Sequence, residues 1–352
     1  MRRPPLRAGR GHARAGRAAA RRAPRARPRL PGRARGPGHA APAARHAHGP
    51  PPPGDGAPGD GAPGDGTQGR AEAAVTAVTG AGSYDPAATT AGGLHGELAR
   101  LEAQAELSFD EELRILLDVG VPAPLLELGA GSGAVTRRLR AALPDLPIVA
   151  ADIDTALLAH AADARAPLLG CDAVRLPLAD ASVGTVLLRY VLQHVADPAA
   201  VVAEALRVLR PGGRLVVIEV DAMLWGLADP MYPEMAGVHN RMTGAQRQAG
   251  GDRLIGRKLT RLLRRAGFGD VVLRPFATTN DDRPTEAFAP HLGPERLAPL
   301  VASGALTLPE LALAADRWRR FRADPDAWVM LLGLVVAGTA PGGPAASERS
   351  TS

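Results

Sequence analysis

A glycine-rich turn between two apolar runs constrains the fold of this chain more than any other feature. The stretch Leu125–Ala134 reads LLELGAGSGA, and the next apolar run, Ile148–Asp152, ends in a carboxylate. Glycine accepts positive φ angles and lets the backbone approach a ligand closely because it has no Cβ. The order of these residues therefore predicts a strand, a loop that cradles a ligand, a helix and a second strand.

The residues that flank this turn favour a nucleotide as the ligand. A helix over Ala134–Leu143 would direct its free N–H groups and its positive dipole end at an anionic or polar ligand. Asp152 is placed to accept hydrogen bonds from both hydroxyls of a ribose. Two alternatives stay open from these residues alone: a dinucleotide fingerprint read as Gly129-x-Gly131-x-x-Ala134, and a glycine turn that serves tight packing without a ligand.

The charge of the chain is distributed very unevenly. Residues 1–70 hold 15 Arg and 3 Asp, a net charge of +12, whereas the whole chain of 352 residues carries +6, so residues 71–352 carry −6. The sequence pI of about 10.4 therefore describes the first 70 residues and not a basic folded part. For this reason the high pI gives no ground for expecting a nucleic-acid partner.

Residues 1–70 consist almost entirely of Arg, Ala, Pro, Gly and His, with a Gly-Asp-Gly-Ala-Pro repeat near their end. So little apolar surface cannot offset the chain entropy, which predicts a disordered Arg/Pro/Gly-rich segment, and the lack of an apolar core excludes a secretory signal. Three interpretations are open: a basic arm that contacts nucleic acid or anionic surfaces, a tail without a role, or GC-rich DNA translated upstream of the true start. We favour the last because the chain has one Lys against 41 Arg; finding residues 1–70 in the intact mass of the native protein would contradict it.

Two further features bound the class of protein. Cys171 is the one cysteine, so the sequence offers no disulfide and no cysteine-based metal site. No apolar run reaches the roughly 18 residues that a membrane-spanning helix needs. We therefore expect a cytoplasmic protein that does not enter a membrane.

From residue 121 onward, short apolar strands alternate with helices. The predicted strands are Leu125–Leu128, Pro147–Ala151, Leu168–Cys171, Val183–Arg189, Leu215–Val220 and Asp270–Arg274. Such alternation predicts an α/β fold with a doubly wound, mostly parallel sheet that is covered on both faces. Ligands bind beyond the carboxyl ends of strands in such sheets. Five candidate site residues fall at or close to these ends: Glu127, Gly129, Asp152, Asp172 and Arg189.

The remaining segments complete the predicted domain organisation. Residues 83–118 are expected to be helical, with a capping box at Ser108–Glu111 and a helix end at Gly120. Insertions above the ligand edge commonly build a lid, and Trp328–Gly338 is expected to form a last strand at the sheet edge. The predicted parts are a helical segment covering the ligand (71–120), a main domain (121–340) with helical lid insertions (222–254 and 277–325), and a disordered tail (341–352).

Five motifs occur in order along the chain: Glu127-Leu-Gly-Ala-Gly-Ser-Gly133, Asp152, Cys171-Asp-Ala-Val-Arg-Leu-Pro-Leu178, Val191-Leu-Gln-His-Val-Ala-Asp-Pro198 and Glu204-Ala-Leu-Arg-Val-Leu-Arg-Pro-Gly-Gly-Arg-Leu215. Together they resemble the motifs of the class I S-adenosylmethionine-dependent methyltransferases, in particular a bacterial branch that acts on small molecules. The resemblance covers roughly residues 83–340 and implies a Rossmann-like fold. Two departures concern packing positions: Val183-Gly184 stands where Phe-Asp is usual, and Leu178 replaces an aromatic residue.

The resemblance implies S-adenosyl-L-methionine as the cofactor and assigns residues to it. Gly131 and Gly133 would face its methionine part, with Gly129 making the turn, and Glu127 would organise the loop and the methionine ammonium. Asp152 would hold the ribose hydroxyls, and Asp172 with the Ala173 backbone would contact adenine. The implied cofactor-binding residues are Tyr84, Gln104, Glu127, Gly129, Gly131, Gly133, Asp152, Ile153, Asp172, Ala173 and Arg189.

Two residues are candidates for catalysis. Methyl transfer is an in-line displacement that needs alignment and a dry pocket, and a base only where the acceptor must lose a proton. His194, about one helical turn beyond the fourth strand, is the candidate base, against the alternative of a surface histidine on a helix. Arg189 ends the fourth strand beside the expected sulfonium, or pairs with a carboxylate at the rim instead.

The sequence thus predicts a methyltransferase that acts on a small molecule, of secondary metabolism or quinone-like, with no metal and no nucleic-acid partner expected. One rival is a nicotinamide-dependent oxidoreductase, which leaves Asp172 and the turn at residues 204–215 unexplained. The other is a binding module without catalytic activity, or a nucleic-acid methyltransferase guided by the basic arm. The chain lacks the Asn-Pro-Pro-aromatic element of amino-methylating nucleic-acid enzymes. Acceptor atom and oligomeric state stay open.

Overall fold

The computed structural model describes residues 83–224 and 226–342. Several expectations fall outside this range: disorder of residues 1–70, the beginning of the covering segment at 71–82, and most of the tail, at 343–352. Trp225 in the first lid insertion is also outside it. The remainder of the chain tests the predicted sheet, helices and lid.

The described strands form one mixed sheet in which β1 to β5 run parallel, as predicted. The order is β3-β2-β1-β4-β5-β8, and β8 runs antiparallel to β5 and also pairs with β6 and β7. The last strand was expected at the sheet edge; this is wrong, because β8 lies between β5 and β7. The strands are β1 (Leu125–Leu128), β2 (Ile148–Asp152), β3 (Leu168–Gly170), β4 (Val183–Arg189), β5 (Leu209–Glu219), β6 (Leu227–Asp229), β7 (Gly269–Thr279) and β8 (Trp328–Thr339).

Helices cover both faces of this sheet, and the two predicted insertions are largely helical. Short 3₁₀ segments extend or join several of them, at Ala159–Ala164, Ile255–Lys258, Thr285–Phe288 and Pro294–Arg296. The α-helices are α1 (Gly93–Val119), α2 (Ala134–Ala142), α3 (Thr155–Leu158), α4 (Pro198–Val208), α5 (Pro233–Gln248), α6 (Leu259–Arg265), α7 (Ala289–Leu292), α8 (Ala298–Ala302) and α9 (Leu308–Ala323).

Alternating side chains of the central strands point to opposite faces, as a period of two requires. Leu188 of β4 packs in a core with residues of α4 and α6. Its neighbour Leu187 packs in a second core with residues of α1 and α2. Both faces of the parallel sheet are therefore buried, which is why its strands read as continuous apolar runs.

The predicted capping box at Ser108–Glu111 is wrong. Ser108 lies inside α1, which begins at Gly93 and not near residue 83, and its hydroxyl donates to Glu112 Oε1 (2.7 Å). The expected end of this helix is confirmed, because Gly120 has φ +83° and its N–H donates to the Leu116 carbonyl. The serine that suggested a helix start therefore belongs to a buried polar cluster on the helix face that meets the sheet.

Two local features near β4 and β5 have backbone causes. A Cβ at Gly184 would lie 2.4 Å from the Ala123 carbonyl oxygen, so a larger residue cannot stand there. This close approach accounts for the Val-Gly departure noted in the sequence. The segment Arg210–Gly213 was expected as a turn before a strand, and instead forms an irregularity within β5, where the pairing with β4 shifts register.

Candidate active site

A cavity of about 680 Å³ opens at the carboxyl edge of the parallel strands, where the sequence predicted a ligand. Its floor is formed by the segments that follow β1, β2, β3 and β4. Its cover combines α1 with parts of the two lid insertions, namely α5 and residues 291–303. The predicted cofactor residues border one end of this cavity, which we call the cofactor end. Residues of the lid insertions border the other end, which we call the lid end.

The glycine loop between β1 and α2 takes the backbone conformation that its sequence predicts. Gly129, Gly131 and Gly133 all have positive φ (+74°, +54° and +76°). Gly131 lines the cavity, and the nearest atom to a Cβ there is 3.6 Å away, so its glycine requirement is conformational. At Gly129 a Cβ would lie 2.3 Å from Val191 Cγ2, so that glycine serves the packing of the loop after β4 as well as the turn.

Gly133 does not take the predicted place toward the ligand. It is absent from the cavity lining, and a Cβ there would lie 2.5 Å from the Cβ of Ala161. Its N–H donates to the Ala130 carbonyl at 2.9 Å. The structure therefore assigns Gly133 to the close packing of the α2 N-terminus against the 3₁₀ segment Ala159–Ala164. Ser132 and Ala134 contribute to the lining on either side of it.

Asp152 stands at the end of β2 and faces the glycine loop across the cavity edge. Its Oδ2 accepts from the Gly131 N–H (2.7 Å) and its Oδ1 from the Asp154 N–H (2.9 Å). Burial raises the pKa of this carboxyl, and the two N–H donors oppose that rise. These two hydrogen bonds fix the orientation of the side chain, and both Asp152 and its neighbour Ile153 line the cavity.

Glu127 is a fully buried carboxyl at the base of the loop. Its Oε2 accepts from Thr136 Oγ1 of α2 at 2.7 Å. Burial raises its pKa to about 7, against the lowering influence of Thr136 and Arg189. Thr136 was not predicted as part of the site. Its position in the first turn of α2, directly after the glycine loop, is the signal that could have identified it. Glu127 is therefore tied to α2 and borders the cavity.

Asp172 and Ala173 lie in the cavity lining directly after β3, as predicted. Asp172 Oδ1 accepts from the Val174 N–H at 3.1 Å, which closes a local turn. The loop that follows is held by Glu204, which accepts from the Leu176 N–H (2.6 Å), and by Arg207, which donates to the Leu178 carbonyl (2.9 Å). These two residues of α4 brace the loop that presents Asp172.

Helix α1 covers the cavity with buried polar side chains. Glu97 accepts from the Tyr84 hydroxyl (2.6 Å) and forms two hydrogen bonds with Arg100 (2.6 and 2.8 Å). Tyr84, Arg100 and Gln104 line the cavity. Because α1 is also joined to α2 by the ion pairs of Glu102 with Arg137 and Arg138 (2.9 and 2.6 Å), it is a fixed cover in this structure.

Arg189 borders the cavity, and several hydrogen bonds hold its guanidinium. It donates to both oxygens of Glu112 on α1 (2.7 and 2.9 Å) and to the Gln104 carbonyl (3.1 Å). The pair is buried, with side-chain exposures of 7% for Arg189 and 2% for Glu112. Arg189 therefore pairs with a carboxylate, as the second alternative from the sequence proposed, but this carboxylate is buried and not at the rim of the cavity. The guanidinium also lies over the ring of Tyr190, 4.4 Å from its centroid.

His194 lies in the cavity lining, where the sequence placed a candidate base, and not on the outer surface of a helix. Its Nδ1 is 3.2 Å from Gln246 Nε2 and 3.2 Å from Ser83 Oγ. The Gln246 amide nitrogen also donates to the Gln193 carbonyl (2.9 Å), so it is a donor and His194 Nδ1 accepts, which leaves the proton on Nε2.

The electrostatic setting of His194 speaks against the predicted role as a base. Burial, reinforced by Arg253, Arg100 and Arg296, lowers its pKa to about 3. A group with so low a pKa is a weak proton acceptor at neutral pH. Its contacts hold the segment at Ser83 against the loop after β4, since the Ser83 N–H also donates to the His194 carbonyl (2.9 Å).

The lid contributes residues that the sequence did not single out. Arg253, after α5, and Arg296, in the segment Pro294–Arg296, both line the cavity. Other polar residues of the first insertion do not border the cavity: Arg241 pairs with Glu310 on α9 (2.9 Å), and neither Tyr232 nor His239 is in the lining. No local pattern marked Arg253 or Arg296, because only the folded lid brings them together.

Glu219, at the end of β5, was also missed by the sequence reading. Its Oε1 accepts from the Gln193 N–H at 3.2 Å, and its Oε2 is buried without a hydrogen-bond partner. Burial raises the pKa of this carboxyl to about 8. It lies behind the cavity wall and supports the loop that carries His194.

Residues 83–224 and 226–342 also bear on metal binding and on insertion into a membrane. No group of three or more His, Cys, Asp or Glu side chains in this part of the chain is arranged to hold a metal ion. None of its helices has the length and apolar character required to cross a bilayer.

Comparisons with known proteins agree with the motifs of the sequence. Residues 126–217 match the family described as "Methyltransferase domain". A protein of Streptomyces fradiae, described as an uncharacterized 37.1 kDa protein in transposon TN4556, is 34% identical over 247 residues, which is 67% of this chain and 68% of that protein. The chain belongs to the class I S-adenosylmethionine-dependent methyltransferases, is a methyltransferase, and uses S-adenosyl-L-methionine as cofactor.

Relatives with a named activity match over a shorter region. The demethylmenaquinone methyltransferase of Mycolicibacterium paratuberculosis is 37% identical over 121 residues, 34% of this chain. The chain spans about half of that relative's length, 52%. Among solved structures, phosphoethanolamine N-methyltransferase 2 of Haemonchus contortus aligns over 68% of this chain and 56% of its own, with 19% identity and a TM-score of 0.43.

Proposed function

We propose that the chain transfers a methyl group to a small-molecule acceptor, of secondary metabolism or quinone-like, which binds at the lid end of the cavity. The observation that carries the proposal is the continuity of this cavity, since the glycine loop and Asp152 border the same space as α5 and residues 291–303. A nucleophile bound under the lid would therefore lie beside the cofactor. The similarity to a demethylmenaquinone methyltransferase, reported above, supports a quinone-like acceptor.

The residues at the cofactor end fit S-adenosyl-L-methionine. Gly131, at φ +54°, brings its backbone to the cavity wall, and Asp152 offers an oriented carboxylate to a ribose. Asp172 and the Ala173 backbone line the same cavity after β3, the strand next to β2, and would contact the adenine. When bound, the cofactor supplies a methyl group on a sulfonium, whose carbon–sulfur bond breaks as the acceptor nucleophile bonds to the carbon.

The chain contributes alignment and exclusion of water to such a transfer. Arg189 and Glu112 join the end of β4 to α1, which keeps the cover seated over the cavity. Tyr84, Glu97 and Arg100 seal the same cover further along α1. Placement of two reactants in a dry pocket is the main source of rate in an in-line displacement. The geometry supports a positioning role for Arg189 and His194 in place of the catalytic roles predicted from sequence.

Asp152→Ala tests the cofactor part of this proposal. Loss of the ribose acceptor should weaken the affinity for S-adenosylhomocysteine by at least about 100-fold, or about 2.7 kcal/mol, while the fold is retained. Asp145→Ala is the matched control, because Asp145 is exposed and outside the cavity lining. Wild-type affinity in Asp152→Ala, measured by calorimetric titration, would contradict the placement of the ribose.

The acceptor class is tested by the release of S-adenosylhomocysteine. We expect product formation with reduced naphthoquinones or small phenols, and none above background with double-stranded DNA or with transfer RNA. Methylation of a nucleic acid without methylation of any small molecule would contradict the proposal. It would favour the rival in which a basic arm guides the enzyme.

A further inference from the structure

Four arginine side chains line the cavity, and they are of two kinds. Arg100 and Arg189 each form a two-point ion pair, with Glu97 (2.6 and 2.8 Å) and Glu112 (2.7 and 2.9 Å). Arg253 and Arg296 have no carboxylate partner among residues 83–224 and 226–342. Two cations of the lid thus line the cavity without a directly paired carboxylate, although the charge of Glu219 acts on Arg253 and that of Glu97 on Arg296, whereas Arg100 and Arg189 are each paired with a glutamate.

The surroundings of these two arginines make their lack of a counter-ion costly. Arg296 Nε is buried and has no hydrogen-bond partner. Arg253 Nη1 donates to the neutral Gln246 Oε1 at 3.3 Å. Burial and the positive charges of Arg100 and Arg253 lower the pKa of Arg296 to about 9, so it still carries its charge at neutral pH. A buried cation is normally paired because its desolvation is expensive.

Both arginines belong to the lid, and Arg296 also lies close enough to the cover for the charges of Glu97 and Tyr84 to act on it. Arg253 follows α5, and Arg296 precedes α8, so both belong to the lid insertions. The charge that lowers the pKa of Glu127 at the cofactor end is that of Arg189. By contrast, Arg253 and Arg296 both lower the pKa of His194 and of His239. Apolar residues of the lid line the same cavity, among them Met242 and Leu300.

We propose that the acceptor carries an anionic group, a carboxylate or a phosphate, which binds to Arg253 and Arg296 while its apolar body contacts Met242 and Leu300. This inference rests on the proposed function, since it names the class of acceptor at the lid end. The planar guanidinium suits both anions, because its N–H groups match two oxygens of either at once. The anion would supply the direct partner that Arg253 and Arg296 do not have within the described chain.

The test uses the full chain loaded with S-adenosylhomocysteine and three small probes. Benzoate and phenyl phosphate represent the two anions, and benzamide is the uncharged counterpart of benzoate. We expect at least one anion to bind about tenfold more tightly than benzamide in calorimetric or NMR titration. Arg253→Gln and Arg296→Gln should each abolish this preference, and Arg296→Lys should keep part of it. Which of the two anions binds identifies the group.

Arg247→Gln is the matched control, since Arg247 lies on α5, is exposed and is outside the cavity lining. It should retain the preference, and all variants should hold S-adenosylhomocysteine within about twofold of the wild type. Equal affinity of the wild type for benzoate, phenyl phosphate and benzamide would overturn the inference. A loss of S-adenosylhomocysteine binding in the glutamine variants would also overturn it, by giving the arginines to the cofactor. Failure of the wild-type chain to bind S-adenosylhomocysteine would instead overturn the proposed function.

Discussion

The two ends of the cavity handle buried charge in opposite ways. At the cofactor end, Asp152 receives two backbone N–H groups, and Arg189 is matched by Glu112. At the lid end, Arg253 and Arg296 line the cavity and form no ion pair within the described chain, where the nearest carboxylates that act on them, Glu219 and Glu97, make no hydrogen bond to them. The comparison teaches that charges which shape the protein are neutralised within it. Charges left without a partner in a cavity indicate the ligand that would complete them.

The largest effect that would break this comparison concerns the Arg189–Glu112 pair. Glu112→Gln leaves a buried guanidinium without its counter-ion, and we expect a loss of about 3–5 kcal/mol in the free energy of unfolding. Arg253→Gln removes no ion pair, and should change the free energy of unfolding by less than about 1 kcal/mol. Urea unfolding of both variants is the measurement. Equal losses would contradict the distinction between paired and unpaired arginines.

The fold at the cofactor end could be predicted because its signals are local. The predicted bounds of the strands β1 and β4 coincide with the observed ones, and α4 begins after Asp197, whose carboxylate accepts from the N–H groups of Ala199 and Ala200. Each of these depends on neighbouring residues, apolar runs or a cap followed by proline. Gly133 could not be assigned correctly, because its packing partner Ala161 comes from a segment beyond the second strand.

The lid could not be predicted in the same way. Arg253 and Arg296 are separated by β7 and several short helical segments, and no spacing relates them. The capping box predicted at Ser108 is wrong for a related reason. Ser108 contacts Glu112 on its own helix and Arg189 on β4, and no local pattern reveals the second contact. Long-range polar contacts of this kind decide the site, whereas periodicity decides the sheet.

A second prediction concerns Glu219, whose burial raises its pKa to about 8, above its unfolded value. Such a group costs no stability below the unfolded pKa of about 4.5, and its cost grows as pH rises toward the folded pKa, because only the unfolded chain ionises freely. Glu219→Gln keeps an acceptor for the Gln193 N–H, and should reduce the loss of unfolding free energy between pH 5 and pH 8.5 by about 1 kcal/mol or more. A pH profile of urea unfolding measures this, and an unchanged profile would contradict the raised pKa.

The smallest expected effect sharpens the contrast between the core and the lid. Gly244 lies in the interior of α5 and is exposed, and a Cβ added there would have no atom within 4 Å. Gly244→Ala should therefore stabilise the lid helix by about 0.5–1 kcal/mol. Amide exchange along α5 would show slower opening in this variant. Faster exchange would mean that the glycine has a packing role that the structure does not show.

The measurement that tests the central claim most directly is calorimetric titration of the full chain with S-adenosylhomocysteine, and separately with NAD. Asp152, the glycine loop and Asp172 border one cavity, and this arrangement predicts micromolar binding of S-adenosylhomocysteine and none of NAD. Binding of NAD without S-adenosylhomocysteine would contradict the account and favour the oxidoreductase reading of the same glycine loop.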